Sequence, residues 1–464
     1  MSIQLSILPT NHFYAKTQAP NELFLEAICI YVATGFFMDD DTFWKDRVCL
    51  LPAHTHEVDA LGYLISSTPN FNWYHEPEHR PFEVVLEEYV ALLTQIVKEQ
   101  VGNDQVILPL SGGLDSRSLA AVLQLLDNPV QAFSYEFEGG YHETKIARRI
   151  AQGCGFQFDA FRIGKGYLWD CIADLAQING CYSEFTHPRQ MAVLAQMKQM
   201  QGVFCLGHWG DVLFDRGVPE GTMDNDLVAL LLKKMVKPGG MALAEKLWEV
   251  WGLEGQFRDY LVSRIETALA KIAIENASAK VRAFKTSQWA HRWTTTNLSV
   301  FAAAHPIRLP YYDDRMSDFI CRVPEAYLAD RRLQIAHIQK DKTLAGHTWQ
   351  AQRPFNLNNY QYNKVPYNLP YRVLNKSKRL LKGWFGQPYV QRNFELQFLG
   401  ADNDVQLKQY LFDPSLYGLI PQSIIDDFYA KFTKDDYVHY SHPISMLLTL
   451  SLFNKEVNQA VNRN

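Results

Sequence analysis

The sequence predicts an α/β fold built on a doubly wound parallel sheet, with a mainly helical C-terminal half and a small N-terminal α+β segment. Three observations carry this. Between residues 81 and 207, apolar runs of strand length alternate with amphipathic stretches of helical period. That alternation is the pattern of parallel strands covered by helices. The first run, Val106 to Leu110, feeds a glycine-rich turn that opens into a helix. After about residue 225 the strand signals fade.

Residues 1–80 read as a reduced N-terminal segment and 81–464 as the main domain. Ile3, Leu5 and Ile7 alternate as in a strand, and Leu23 to Val32 suits a helix. The triplet Asp39-Asp40-Asp41 reads as a solvated turn or a helix cap, because three consecutive carboxylates do not converge on one metal. His75-Glu76-Pro77-Glu78-His79 spells a zinc-protease pattern, but Pro77 prevents both histidines from sharing a helix face. The stretch is expected to be a charged linker.

From Pro81 the elements are regular. Phe82 to Val101 is an amphipathic helix, and Val106 to Leu110 a strand. Ser111 to Ser116 is a small-residue turn. The helix Ser116 to Leu126 places Leu119, Val122, Leu123 and Leu126 on one face, and Asp127-Asn128-Pro129 stops it. Val130 to Phe137 and Phe156 to Ile163 are further strands, with a helix from His142 to Gln152 between them. Two helical stretches, Leu168 to Ile178 and Arg189 to Met200, lead to a buried strand over Gly202 to Gly207.

Apolar residues make up 47% of the 464 positions and aromatics 13%, ample for a large core. The net charge of −5 is spread along the chain, so nucleic acid is not an expected partner. Seven scattered cysteines without a CxxC pair fit free thiols in a reducing cytoplasm. No signal-peptide pattern opens the chain, and the most apolar stretch, Ala27 to Met38, is too short to span a bilayer. A cytoplasmic location follows as an expectation.

The turn after Leu110 is where chemistry is expected. A helix's first amides have no intrahelical partner and point at whatever fills the turn. Gly112 and Gly113 permit close approach of a phosphate, and Ser111, Ser116 and Ser118 add hydroxyls. Asp115 would repel a phosphate unless a divalent cation lay between them. The loop lacks the Lys-Ser/Thr of a P-loop and the third glycine of a Rossmann loop. It matches the Ser-Gly-Gly-x-Asp-Ser loop of the ATP pyrophosphatases. A second carboxylate, Asp211, also follows a strand and a glycine-containing turn, Gly207-His208-Trp209-Gly210. In one sheet, Asp115 and Asp211 would meet at the carboxyl edge and hold magnesium.

Further segments extend the likeness. Phe133-Ser134-Tyr135, Glu143 with Ala147, Gly207 to Asp211, Arg308-Leu309-Pro310-Tyr311-Tyr312-Asp313 and His442-Pro443-Ile444 to Phe453 all resemble the synthetase domain of the asparagine synthetase family. The resemblance spans about residues 82 to 455 and implies an adenine nucleotide α-hydrolase-like fold. It implies ATP and Mg2+ as cofactors and an AMP-forming ligase reaction, in which a carboxylate attacks the α-phosphate and an amine then displaces AMP. By matched position, Ser111, Gly112, Gly113, Asp115 and Ser116 would hold pyrophosphate, and Leu110 and Tyr135 would line the adenosine. Gly207 would lie at the nucleotide, and Asp115 and Asp211 would bind magnesium.

Four departures from the family pattern matter. Where the family begins with a nucleophilic cysteine of a glutaminase domain, this chain has Ser2, and its first cysteine is Cys29. Residues 1–80 are therefore read as a glutaminase remnant, and Phe43-Trp44-Lys45 to Leu51-Pro52 looks like the tail of such a domain. The family's glutamates flanking the magnesium aspartate are His208 and Val212 here. His208 is a candidate proton acceptor for the amine, or a packing residue. The family's phosphate-stabilising lysine has no clear match, and Arg332 in Arg331-Arg332-Leu333-Gln334 is the candidate to replace it. Arg117 stands where serine or threonine is commoner, and is a candidate to hold the substrate carboxylate bidentately or to cap the site.

The expected function is an amide-forming ligase without its own glutaminase. Its partners would be a small-molecule or peptide carboxylate, ammonia or another amine, and a separate glutaminase if one supplies the ammonia. The alternative is a non-catalytic nucleotide-binding relative acting as a regulatory or scaffold subunit. Lys376, Lys378, Arg379 and Lys382 beside Trp384 and Phe385 read as a solvated helix face, with no membrane contact expected.

Overall fold

The computed structural model describes residues 2–3, 14–138, 140, 142–350, 353–385 and 397–463. Its centre is a five-stranded sheet in which every pairing is parallel. In chain order its elements are α1 (Leu25–Thr34), α2 (Phe82–Val101), β1 (Val106–Pro109), α3 (Leu114–Leu123), β2 (Val130–Phe137), α4 (Glu143–Gly153), β3 (Gln157–Ile163), β4 (Val203–Cys205) and β5 (Ile307–Arg308). After these come α5 (Arg332–Gln339), α6 (Leu369–Trp384) and α7 (Ser441–Arg463). Strand order is β5-β4-β1-β2-β3. The chain therefore winds from β1 outward through β2 and β3, then restarts on the other side of β1 with β4. The switch point lies between β1 and β4, where an open α/β sheet leaves a crevice at its carboxyl edge.

The central strands β1 and β4 read as continuous apolar runs because both faces of the sheet are covered there. Val106 and Leu108 of β1 join one hydrophobic core, with α2, α3 and residues 311–349. Ile107, between them, joins the other core with Phe133 and Phe204, α1 and α7. Alternation along a single strand thus feeds two separate layers.

The expected elements are present with shifted ends. Helix α3 begins at Leu114 rather than Ser116, because Gly113 takes the extended N-cap conformation (φ −70°, ψ 168°). Asp115 and Ser116 therefore sit in the first helical turn. Strand β5 had no sequence signal, since two residues are too few to show a period. It is held by parallel pairing of Ile307 with Phe204 and Arg308 with Cys205. A second missed element is the antiparallel pair Thr348–Gln350 and Arg353–Asn356. Leu5 and Ile7 of the expected N-terminal strand lie outside the described residues, while Ser2 and Ile3 pair with Glu57 and His56.

Two N-terminal readings change or gain detail. Asp39 and Asp41 are not solvated: both carboxylates accept from Arg264 Nη2, at 3.0 and 2.8 Å. Gln288 also donates to Asp39 at 2.9 Å. A guanidinium between two carboxylates offsets their loss of hydration, although burial still pushes Asp41 up to about 6. The His75–His79 linker runs beside residues 321–322, with Glu76 N donating to Cys321 O at 3.0 Å and Glu78 N to Arg322 O at 2.8 Å. All seven cysteines are free thiols. Among the described residues, no helix is long and apolar enough to cross a membrane.

Helix α1 buries eight of its ten residues. It lies so close to Gly240 that a Cβ there would stand 2.5 Å from Ala33 O and 3.1 Å from Ala33 C. Backbone cannot withdraw as a side-chain tip can, so Gly240→Ala should destabilise by about 1–3 kcal/mol. Gly383→Ala, where nothing lies within 4 Å, is the control and should be neutral or slightly stabilising. Thermal unfolding of both variants checks this.

Candidate active site

The switch point is built from two turns that pass very close to one another. The first is the loop Ser111-Gly112-Gly113 between β1 and α3. Its hydroxyls are turned inward: Ser111 N donates to Ser116 Oγ at 3.2 Å, and Gly113 N to Ser111 Oγ at 3.1 Å. No side chain caps α3, so its leading amides remain available to an anion. Gly112 is required by packing, since a Cβ there would lie 2.5 Å from Trp349 O.

The second turn follows β4. A Cβ on Gly207 would stand 3.0 Å from both the carbonyl carbon and the Cβ of Asp115. A Cβ on Gly210 would stand 2.8 Å from Asp115 Cγ. The two glycines let this segment cross the start of α3 in contact, and Asp211 follows directly. Trp209, between them, takes a left-handed backbone (φ 76°). Its indole is held by a bond from Nε1 to Thr286 Oγ1 at 3.1 Å.

Asp115 and Asp211 both line a cavity of about 1140 Å³. Burial pushes the Asp115 carboxyl up to about 6, and the Asp211 charge adds to the rise while Arg331 opposes it. Arg331 Nη2 forms an ion pair with Asp115 Oδ1. Gln334 Nε2 donates to the same oxygen at 2.9 Å, and Arg331 Nε donates to Gln334 Oε1 at 2.5 Å. Asp330 and Arg331 both have positive φ, 57° and 64°. For non-glycine residues this costs of order 1 kcal/mol or more each, and it marks the kink that turns Arg331 inward.

Two carboxylates in mutual repulsion beside open amides suit a magnesium ion that brings its own phosphate oxygens and waters. They do not make a preformed cage. Among the described residues, no group of three or more His, Cys, Asp or Glu could hold a metal.

Other residues named from the sequence lie elsewhere. Arg117 does not face the cavity; it is fully buried. Its guanidinium donates to the carbonyls of Gly112 (2.9 Å), Leu344 (3.1 Å), His347 (3.2 Å), Thr348 (2.7 Å) and Trp349 (3.3 Å). It is a clamp on the loop and is not placed to hold a substrate carboxylate. Arg332 is exposed, donates to Ala326 O at 2.9 Å and lies over the Phe82 ring. Its neighbour Arg331 is the one at the site, because the left-handed backbone there (φ 64°) turns it inward. His208 borders neither large cavity. Its ring meets Phe301 edge-on, its Nδ1 has no partner, and burial pushes it down to about 4. An imidazole that weakly basic favours the packing role over proton acceptance. Leu110 is buried in the core at the end of β1. Tyr135 lies near the carboxyl end of β2, half-buried near Arg189 and Glu143.

Arg331, Gln334 and Asp215 were not found from the sequence. Asp215 accepts from Asp330 N at 3.2 Å and so supports the kink. Only the Arg331-Arg332 doublet signalled this corner.

Replacing Arg117 by methionine leaves several buried carbonyls without donors. Arg117→Met should destabilise by on the order of 3 kcal/mol and raise the KM for ATP by loosening the loop. Arg332→Ala should alter neither quantity. Thermal unfolding with ATP titration distinguishes the two residues.

No curated protein matches the sequence. Among solved structures, NMN synthetase from Francisella tularensis is similar over 44% of this chain and 92% of its own, at 14% identity and a TM-score of 0.23. The family model of asparagine synthase matches residues 88–354, which contain the loop, both aspartates, Arg331 and Gln334. The chain belongs to the asparagine synthase family.

Proposed function

We propose that this chain is an AMP-forming amide ligase that activates a carboxylate with ATP and passes the acyl group to an amine. Family membership makes it an ATP-using enzyme of the synthetase type. The observation that supports the finer reading is the meeting of Asp115 and Asp211 beside the uncapped start of α3. In the first step a carboxylate oxygen attacks the α-phosphorus, the bond to the bridging oxygen breaks, and pyrophosphate leaves. In the second, the amine nitrogen attacks the acyl carbon, loses a proton, and AMP departs.

The residues divide the work. The α3 amides and the Ser111 loop cradle pyrophosphate oxygens. Asp115 and Asp211 would hold magnesium, which would neutralise charge on the leaving group. Arg331, bound to Asp115, supplies positive charge beside the phosphate site. That is the electrostatic role first assigned to Arg332. The amine comes from ammonia, from a partner or from a second substrate. The Arg331–Asp115 ion pair also favours a second reading, a nucleotide-binding relative without turnover, because it occupies a metal ligand.

Pyrophosphate and AMP release from Mg-ATP separates the two. The assay runs with aspartate plus ammonia and then with other carboxylates. Release with aspartate and ammonia makes the protein an asparagine-forming enzyme; release with another acid identifies its substrate. ATP binding without release leaves only the second reading. Asp115→Asn and Asp211→Asn should each lower release at least about 100-fold while the fold persists.

The pH dependence has a defined sign. The folded Asp115 carboxyl, at about 6, lies above its ordinary value of 3.8. The fold therefore favours the protonated form, and this group's contribution to metal-free stability grows as pH falls from 7 toward 4. Magnesium needs the ionised form. The kcat/KM for ATP should fall below pH 6, and Asp115→Asn should lack that limb in its residual nucleotide binding.

A further inference from the structure

The cavity has two unlike walls. Asp115, Asp211, Asp215 and Asp330 form the wall beside the sheet edge. Arg353 and α6, which contributes Arg372, Lys376 and Arg379, form the other wall. These three recur at i, i+4 and i+7, so they share one helix face and span about 10 Å of its length. Like charges at that spacing oppose helix formation. Among the described residues, neither Arg372, Lys376 nor Arg353 has a carboxylate within ion-pair distance, and Lys364 already pairs with Asp330 at 2.8 Å. Arg353 is stacked on Trp349 with its guanidinium 4.1 Å from the ring centroid, which fixes it in place. Burial and the neighbouring Arg331 both press its pKa down, so it lies in a locally positive field. The opposite face of α6 carries Leu374, Leu381 and Trp384, all exposed. The helix therefore turns its charge toward the cavity and its apolar side to solvent.

We propose that this wall selects the acyl donor, which is a polycarboxylate. Beside the carboxylate that reacts, it carries further anionic groups spaced to meet Arg353, Arg372 and Lys376. This rests on the ligase reading and names its substrate class. Arg353, Arg372 and Lys376 belong to elements other than the Ser111 loop and α3, which already serve the leaving group. A partly exposed charge-assisted contact gives about tenfold in affinity.

The test uses the whole protein with Mg2+ and α,β-methylene-ATP, which cannot release pyrophosphate. Calorimetry measures binding of propionate, glutarate and tetraglutamate to wild type and to the Arg372→Ala/Lys376→Ala protein. Both substituted side chains are exposed, so folding is retained. Affinity is expected to rise with the number of carboxylates. The double variant should lose at least about tenfold for tetraglutamate and little for propionate, and salt should weaken the wild-type preference. Equal affinity for all three acids overturns the proposal. So does an equal loss in affinity for the nucleotide analogue, which would assign the wall to phosphates. Pyrophosphate release from ATP then tests the underlying reading separately. Release with propionate as readily as with tetraglutamate keeps the ligase and removes the polyacid. Tetraglutamate binding without release keeps the anion site and removes the ligase.

Discussion

The structure depends on one close approach. The turn after β4 crosses the first turn of α3 with no room for a Cβ at Gly207 or Gly210. That contact fixes the separation of Asp115 and Asp211, and it joins the two halves of the doubly wound sheet at their switch point. A larger residue at either glycine would push the second aspartate away from the first. The chemistry of the site is therefore a consequence of backbone packing rather than of long side chains reaching across a cleft.

A second layer of support comes from behind the loop. Arg117 gathers carbonyls from Gly112 and from residues 344–349. This couples the loop to the Thr348–Gln350 strand, whose Trp349 carries Arg353 at the cavity wall. In front of the loop, the kink at Asp330-Arg331 places one guanidinium on Asp115. The loop is thus held between a buried arginine that never meets solvent and a second arginine paired with Asp115.

Much of this was legible in the sequence for a physical reason. Parallel strands buried on both faces leave long apolar runs, so β1 and β2 were found within a residue of their ends. The loop and both aspartates were legible because glycine spacing reports close approach. What was not legible depends on orientation or brevity. Strand β5 has only two residues. Arg331 and Arg332 differ by one position, and only the left-handed backbone at Arg331 decides which one turns inward. Arg117 carries the charge expected of a binding residue, yet tertiary packing directs it to backbone carbonyls. The Asp39 and Asp41 carboxylates looked solvated because their partner, Arg264, is more than two hundred residues away. Of the α6 cations that read as a solvated face, Lys376 and Arg379 border the cavity, which only the placement of that helix shows.

The central claim is that Asp115 and Asp211 together hold the metal that accompanies ATP. A crystal of the protein with Mn2+ and α,β-methylene-ATP tests it most directly, because manganese is located by its anomalous scattering. The account predicts a manganese peak coordinated by both carboxylates and by phosphate oxygens, with the Arg331 guanidinium withdrawn from Asp115. A bound nucleotide with the Arg331–Asp115 pair intact and no metal between the aspartates would contradict it.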